Sequence, residues 1–178
     1  MKIGVISDTH DDMENVQEAI QIFNKSKADY VIHAGDYVFP GIIKEFKKLN
    51  ARLIGVLGNN DGEKSGILKS FIDISGELKG ELGEVEFDGL RFGIYHGTDS
   101  EVKENITRSK KYDILICGHT HRREPQRSGT IKGKDTFVLN PGSAHRKSVS
   151  ISGLFDEVGR IILFDTQTKV YEFVDLSK

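Results

Sequence analysis

The stretch KIGVISDTH, from Lys2 to His10, begins as a buried strand and ends in side chains that can bind a metal ion. Its apolar residues form a short unbroken run, which is typical of a buried strand. Apolar residues at helical spacing follow over residues 13–23 and predict a helix. We expect Asp11 to be the N-cap of this helix, with Glu14 completing a capping box.

Strand and helix patterns alternate through the first half of the chain, and strands dominate the second half. Strands are predicted at residues 2–7, 30–34, 53–57, 84–87, 90–95, 114–117, 137–140, 150–156, 160–165 and 169–174, and helices at 13–23, 42–49 and 101–109. Asp88-Gly89 is a strong hairpin signal between two of the later strands. Strands separated by helices indicate a largely parallel sheet, and the last three strands indicate a closing antiparallel meander. We therefore predict an α/β sandwich of two sheets.

Length, charge and cysteine content limit the classes of protein to consider. A chain of 178 residues suits one domain with its own core. The formal net charge of −2 gives no basic excess, so a partner such as long nucleic acid is not expected. The single cysteine, Cys117, excludes an intramolecular disulfide and favours a reducing compartment. With no signal-peptide pattern and no apolar stretch of membrane-spanning length, we expect a cytoplasmic protein without a membrane partner.

Side chains of metal-ligand type follow several predicted strands, at the point where each strand ends. The segments are Asp8-Thr9-His10, Gly35-Asp36, Gly58-Asn59-Asn60-Asp61, His96-Gly97 and Gly118-His119-Thr120-His121. Ligands of open α/β sheets collect outside the carboxyl ends of the strands, so these segments are expected to meet at one rim. In the first and last segments, the one-residue spacing is expected to place two side chains on the same face of an extended backbone.

Each of these segments alone has an ordinary structural explanation. A single Asp-x-His is usually a turn, Gly-Asp after a strand is commonly a helix N-cap, and Gly-Asn-Asn-Asp is commonly a turn. Their coincidence at five strand ends is what favours a metal site. Outside this set, we expect His33 and Cys117 to be packed in the interior and His145 to lie at the surface.

In order and spacing, these five segments resemble the motifs of the calcineurin-like metallophosphoesterases. The resemblance extends over nearly the whole chain. The short length and the stretch Asn140-Pro141-Gly142-Ser143 are similar to the small archaeal and bacterial phosphodiesterases of that family, a subgroup with a manganese- or nickel-using archaeal member. The resemblance implies a single domain over residues 1–178. It also implies a four-layer αββα sandwich, with two mixed sheets flanked by helices, and a dinuclear metal centre.

The resemblance also implies a ligand set for each of two divalent ions. One ion would be bound by Asp8, His10, Asp36 and His121. The other would be bound by Asp36, Asn59, His96 and His119, so that Asp36 bridges the ions. Nitrogen and oxygen ligands without thiolate suit Mn²⁺, Ni²⁺, Fe, Co²⁺ or Zn²⁺, and the small relatives point to Mn²⁺ or Ni²⁺. Such an ion pair can activate a bridging water and hold both the attacking and the leaving oxygen of phosphorus.

The chain departs from the family pattern at Asn60, where many members have a histidine that is thought to protonate the leaving group and contact phosphate. An amide can donate a hydrogen bond to a phosphoryl oxygen, so Asn60 remains a candidate substrate-binding and catalytic residue. It cannot act as a proton donor at neutral pH. General acid catalysis contributes about 10²- to 10⁴-fold, so we expect slow turnover of alkoxide leaving groups. Arg122 is either a second phosphate contact or a solvated side chain at a strand edge.

The function predicted from these observations is metal-dependent hydrolysis of a small phosphodiester. One alternative is a phosphomonoesterase or pyrophosphohydrolase. Another is a protein-binding scaffold of the same fold without catalysis, which intact ligand positions disfavour. Pairing of edge strands between subunits, giving a homo-oligomer, is left open.

Overall fold

The computed structural model describes residues 1–145, 148–149, 155–156 and 158–176. The strands are β1 (Lys2–Ile6), β2 (Tyr30–His33), β3 (Arg52–Gly55), β4 (Glu77–Leu78), β5 (Leu82–Phe87), β6 (Leu90–Tyr95), β7 (Ile114–Ile116), β8 (Arg123–Glu124), β9 (Gly129–Thr130), β10 (Phe137–Pro141), β11 (Ser148–Val149), β12 (Phe155–Asp156), β13 (Arg160–Asp165) and β14 (Val170–Asp175). The helices are α1 (Met13–Lys25), α2 (Pro40–Glu45), α3 (Lys64–Asp73) and α4 (Ser100–Ser109), with a 3₁₀ turn at Phe46–Lys48.

Two mixed sheets form the centre of the molecule. The first has seven strands in the order β4-β3-β2-β1-β13-β14-β9, of which β1 to β4 run parallel and the last three pair antiparallel. The second has five strands in the order β5-β6-β7-β10-β8, with β6, β7 and β10 parallel. A separate two-stranded ladder joins β11 and β12. The predicted fold class, with two mixed sheets and flanking helices, is confirmed.

The alternation of side chains along β1 separates the two hydrophobic layers. Ile3 and Val5 belong to the apolar cluster between the two sheets, together with Phe92 and Ile114 of the second sheet. Ile6 belongs to the cluster between the first sheet and its helices. Both faces of β1 are therefore buried, and this explains why its sequence is an unbroken apolar run rather than an alternating one.

Some elements differ from the prediction at their ends or were not predicted. The N-cap of α1 is Asp12, whose carboxylate accepts from Asn15 N, because Asp11 has a positive φ of 71° and stands outside the helix. The helix α3 was missed. It has no side-chain cap, and Leu68 and Ile72 are exposed on it, so that no single apolar stripe marks it in the sequence. The short strands β4, β8 and β9 were also missed.

The predicted hairpin turn is confirmed, and a side chain caps the last helix. Asp88 and Gly89 both have positive φ, as a two-residue hairpin turn requires, and they connect β5 to β6. Asp99 caps α4 by accepting from Glu101 N and Val102 N. The predicted strand at 150–156 lies mostly outside the described residues.

Within the described part of the chain, no helix combines the length and the hydropathy that crossing a bilayer requires. The single domain over 1–178 and the cytoplasmic location stay predictions.

Candidate metal centre

The predicted site residues all lie in loops that leave the carboxyl ends of parallel strands. Asp8 and His10 follow β1, Asp36 follows β2, and the remaining residues follow β3, β6 and β7. Those after β3 are Asn59 and Asn60, the one after β6 is His96, and those after β7 are His119, His121 and Arg122. The two sheets contribute to the same rim, as the topology predicts.

The loops reach this rim by tight left-handed turns. Positive φ angles occur at Asp8 (54°), His10 (44°), Asp36 (61°), His119 (67°) and His121 (56°). The expectation that each one-residue spacing acts through an extended backbone is therefore wrong. An L-residue in this conformation costs about 1–2 kcal/mol, and such residues persist where the surrounding contacts over-determine them. Their concentration at one rim indicates a functional site.

The first group of ligand-type atoms consists of Asp8, His10 and His121. The Nε2 atom of His121 lies 3.2 Å from Asp8 Oδ1 and 3.2 Å from His10 Nε2. His10 Nε2 in turn lies 4.0 Å from Asp8 Oδ1 and 4.0 Å from Asp36 Oδ2. Residues 111 positions apart in the sequence thus converge on one small volume.

The second group consists of Asp8, Asp36 and His96, all of which are buried. His96 Nε2 lies 3.3 Å from Asp36 Oδ2 and 3.9 Å from Asp8 Oδ1. The two groups share Asp8 and are therefore adjacent. Within each group, the ligand atoms lie within 4.8 Å of one another.

Four predicted site residues lie outside these two groups. The His119 ring packs edge-on against His96, with ring centroids 5.3 Å apart. Asn59 Oδ1 accepts from Thr98 Oγ1 at 3.3 Å. Asn60 donates to both carboxylate oxygens of Asp36, from its backbone N at 2.9 Å and from Nδ2 at 2.7 Å. The fourth residue, Arg122, is exposed, and its backbone N donates to a neighbouring threonine hydroxyl.

In the structure the side-chain amide of Asn60 donates to Asp36, whereas the sequence suggests a phosphoryl oxygen as its partner. His121 lies beside Asp8 and His119 lies beside His96, and the assignment of these two histidines to different ions stays a prediction.

Close packing of backbone against the ligands explains one of the glycines. A Cβ added at Gly118 would overlap Ser7 Oγ and lie 2.5 Å from Asp8 Oδ2. The backbone N of the next residue, His119, donates to both oxygens of the Asp8 carboxylate at 3.2 and 3.1 Å. The loop after β7 therefore approaches Asp8 closely enough to orient it, and only glycine allows this approach.

Asp61 organises the loops around Asp36, a role that its position in the sequence does not reveal. Its Oδ1 accepts from Tyr37 N (2.7 Å) and Val38 N (2.9 Å), and its Oδ2 accepts from Asp36 N (2.9 Å) and Gly58 N (2.7 Å). Its side chain is buried. One carboxylate thus connects the loop after β2 to the loop after β3.

The segment after β10 supports the loops on the opposite side. Asn140 Nδ2 donates to Gly118 O at 2.7 Å, and Ser143 Oγ donates to Asp8 O at 2.9 Å. His145 is half-buried here rather than a free surface residue. Its ring lies 5.9 Å from that of His10, and its Nδ1 lies 3.5 Å from Asp12 Oδ2.

Buried histidines in and near the site have defined hydrogen-bond partners. His96 Nδ1 donates to Ala34 O at 2.7 Å, which leaves the lone pair of neutral His96 on Nε2. His33 is fully buried, as expected. Its Nδ1 accepts from Gly35 N at 3.2 Å, so its Nε2–H donates to Thr9 Oγ1 at 3.1 Å.

The electrostatics of the site reflect competition between burial and close neighbours. Burial raises the pKa of Asp36, but the adjacent His96 and the two N–H groups of Asn60 outweigh it and hold that pKa well below its usual range. Burial lowers the pKa of His96, but the carboxylates of Asp36 and Asp8 raise it by more. Burial is the largest cause that lowers the pKa of His10 and of His119, which favours their neutral, ligand-competent form.

These residues fit a divalent metal. His96 Nε2 is buried and forms no hydrogen bond, and it lies among carboxylate oxygens of Asp36 and Asp8. A neutral imidazole nitrogen and carboxylate oxygens all present lone pairs, so they repel one another unless a proton or a metal ion lies between them, and the same carboxylates raise the pKa of His96. The nitrogen and oxygen ligands suit borderline and hard divalent ions.

Two mixed sheets with histidines and carboxylates at one rim are the features that the family resemblance implies. Residues 1–169 match the calcineurin-like phosphoesterase superfamily domain. The chain therefore belongs to the calcineurin-like phosphoesterase superfamily, and the predicted family is confirmed.

Two relatives and one solved structure show how far the similarity extends. The phosphodiesterase MJ0936 of Methanocaldococcus jannaschii is 39% identical over 177 residues, which cover 99% of each chain. The phosphodiesterase YfcE of Escherichia coli is 24% identical over 156 residues, 80% of this chain and 79% of that one. A solved structure of an archaeal phosphodiesterase, 39% identical, superimposes with a TM-score of 0.83 over 99% of this chain and 100% of the other.

Proposed function

We propose that this chain is a divalent-metal-dependent phosphodiesterase that acts on a small phosphodiester at a centre of two ions. The observation that carries the proposal is the pair of adjacent ligand groups, Asp8-His10-His121 and Asp8-Asp36-His96. Their residues lie in the loops that follow β1, β2, β6 and β7. Two relatives that bear the name phosphodiesterase support the substrate class.

The ligand sets that the family resemblance implies extend these two groups. Asp8, His10, Asp36 and His121 would hold one ion, and Asp36, Asn59, His96 and His119 the other. When bound, Mn²⁺ or Ni²⁺ would supply Lewis acidity and a water nucleophile that is ionised near neutral pH.

The protein's own side chains orient the ligands and the substrate. The hydrogen bond from His96 Nδ1 to Ala34 O holds the imidazole with Nε2 directed towards the carboxylates. Asn60 orients Asp36 through two hydrogen bonds, and its amide is the group beside this carboxylate that can also donate to a phosphoryl oxygen. Arg122 is exposed and is a second candidate for phosphate contact.

The absence of an imidazole at Asn60 favours activated leaving groups over alkoxides, in diesters and monoesters alike. An amide does not release a proton at neutral pH, so a leaving group must depart as a stable anion or take its proton from water. Rapid hydrolysis of alkyl phosphomonoesters is therefore disfavoured, whereas a pyrophosphohydrolase, whose leaving phosphate is a stable anion, stays an alternative.

The test is to remove metal with a chelator and to reload the protein with Mn²⁺, Ni²⁺, Co²⁺ or Zn²⁺ in turn. We expect hydrolysis of bis(4-nitrophenyl) phosphate to disappear on chelation, to return with Mn²⁺ or Ni²⁺, and to exceed hydrolysis of 4-nitrophenyl phosphate. Asp36→Ala should abolish both activities. Asp73→Ala is the matched control, because this carboxylate is exposed at the end of α3.

The scaffold alternative makes the opposite prediction. A protein that binds none of these ions in calorimetry and shows no turnover after reloading would support a protein-binding role and refute the hydrolase. A faster monoesterase than diesterase activity would keep the metal centre but refute the substrate class.

A further inference from the structure

A groove of about 330 Å³ adjoins the candidate metal centre at Asn59. One side is the loop between β3 and α3, and the other is the segment from Tyr95 to Asp99, which begins at the last residue of β6. Lys64, the first residue of α3, and Glu81 also line it and form an ion pair at 3.1 Å. The volume lies in the range of small-molecule binding sites.

The charges that line the groove disfavour an anionic occupant. Three carboxylates, those of Asp61, Glu81 and Asp99, face one ammonium group, that of Lys64. The Asp61 carboxylate is occupied by backbone N–H groups, and Asp99 Oδ1 accepts from the first turn of α4. The side chains that line the groove therefore carry more negative than positive charge, and the carboxylates of Asp61 and Asp99 are already held in place.

Hydrogen-bonding groups that remain available in the groove suit hydroxyl groups. Tyr95 Oη accepts from Asp99 N at 3.0 Å, so its own O–H can donate to an occupant. Lys64 has three N–H donors and uses one for Glu81. A hydroxyl can accept from Tyr95 or Lys64 and donate to the Glu81 carboxylate, whereas an apolar arm would satisfy none of these groups.

We propose that this groove binds one ester arm of the substrate, and that this arm is neutral and carries hydroxyl groups. The inference rests on the proposed function, since the groove begins at Asn59, one of the implied metal ligands. Tyr95 and Lys64 are then specificity-determining residues, because they contact the arm and not the phosphorus.

The experiment compares three probes by calorimetry with the Mn²⁺-reloaded protein. Thymidine 5′-phosphate has a neutral hydroxyl-bearing arm, methyl phosphate has almost no arm, and thymidine 3′,5′-bisphosphate has an anionic arm. We expect thymidine 5′-phosphate to bind about 10-fold more tightly than methyl phosphate, as one or two net hydrogen bonds provide. The bisphosphate should bind more weakly than thymidine 5′-phosphate.

Variants then assign the preference to the groove. Lys64→Met and Tyr95→Phe should each reduce the affinity ratio of thymidine 5′-phosphate to methyl phosphate by about 3- to 10-fold. Lys69→Met, on the exposed surface of the same helix, should leave the ratio unchanged.

Three results would overturn the inference: equal affinities of the wild-type protein for thymidine 5′-phosphate and methyl phosphate, a ratio that neither variant alters, or tighter binding of the bisphosphate. A different measurement tests the proposed function, which fails if the protein does not hydrolyse bis(4-nitrophenyl) phosphate. In that case the binding measurements still decide what the groove accepts.

Discussion

The carboxylate of Asp61 accepts hydrogen bonds from four backbone N–H groups, and replacing it with asparagine should destabilise the protein strongly. The substitution keeps the shape but turns one oxygen into an NH₂ group. That group then faces two N–H donors, for example those of Asp36 and Gly58. Hydrogen bonds to a charged acceptor contribute about 1.5–3 kcal/mol each. Losing two of them, with partial relief by water, should lower the free energy of unfolding by about 3 kcal/mol.

The assay is urea unfolding of metal-free protein at pH 8. Burial raises the pKa of Asp61, and an alkaline pH favours the carboxylate form of the wild-type side chain. The midpoint should fall while the slope m stays constant. Affinity for Mn²⁺ should also fall by about 10- to 100-fold, because Asp61 holds the backbone of Asp36 in its left-handed conformation.

The control is Asp29→Asn, which alters one exposed hydrogen bond, that from Lys2 N at 2.8 Å. It should cost at most about 1 kcal/mol. If Asp61→Asn proves no more destabilising than Asp29→Asn, or leaves Mn²⁺ affinity unchanged, Asp61 does not organise the site.

Three further predictions concern other parts of the site. Gly118→Ala should remove Mn²⁺ binding in calorimetry, because its methyl group would overlap Ser7 Oγ. The control Gly62→Ala should keep Mn²⁺ binding, because its methyl group would meet no atom within 4 Å. Equal Mn²⁺ affinities of the two variants would contradict the close approach of Gly118 to its neighbours. Burial lowers the pKa of His33 well below 6.5, so below that pH the unfolded chain binds a proton that the folded protein does not. Metal-free protein should therefore lose stability as the pH falls from 6.5, and this histidine should contribute up to about 1.4 kcal/mol per pH unit. His33→Gln should reduce the slope of the free energy of unfolding against pH, measured by urea unfolding. An unaltered slope would refute the assignment of this pH dependence to His33. Asn60→His should raise the turnover of phenyl phosphate relative to 4-nitrophenyl phosphate by at least about 10-fold, since the poorer leaving group needs a proton donor. An unchanged ratio would show that the missing imidazole does not limit this chain.

The chemistry of the site could be predicted from the sequence, but its geometry could not. Asp8, His10 and the later ligand-type residues were recognisable because each follows an apolar strand in a fixed order. The left-handed turns that bring them together were not recognisable, because they depend on neighbouring loops. Hydrogen bonds between loops hold these turns in place, for example those from His119 N to Asp8 and from Asp36 N to Asp61. Each of them joins residues far apart in the chain.

Contacts between distant segments also account for the residues that were missed or misjudged. Asp61 looks like part of a turn until its four amide partners are seen. His145 looks like a surface residue until the strand β10 carries it to the edge of the site beside His10. The helix α3 escaped prediction because exposed Leu68 and Ile72 obscure its amphipathic pattern.

The sequence by itself determined the order of the five strands whose loops form the site, the burial of β1 and the membership of a phosphoesterase family. These properties follow from local patterns, since apolar periodicity and ligand-type residues at strand ends are written in consecutive residues. Only the tertiary structure decided which side chains share one volume, which backbone groups orient them and where a groove opens beside them. Those features depend on packing between two sheets, and no stretch of consecutive residues contains that information.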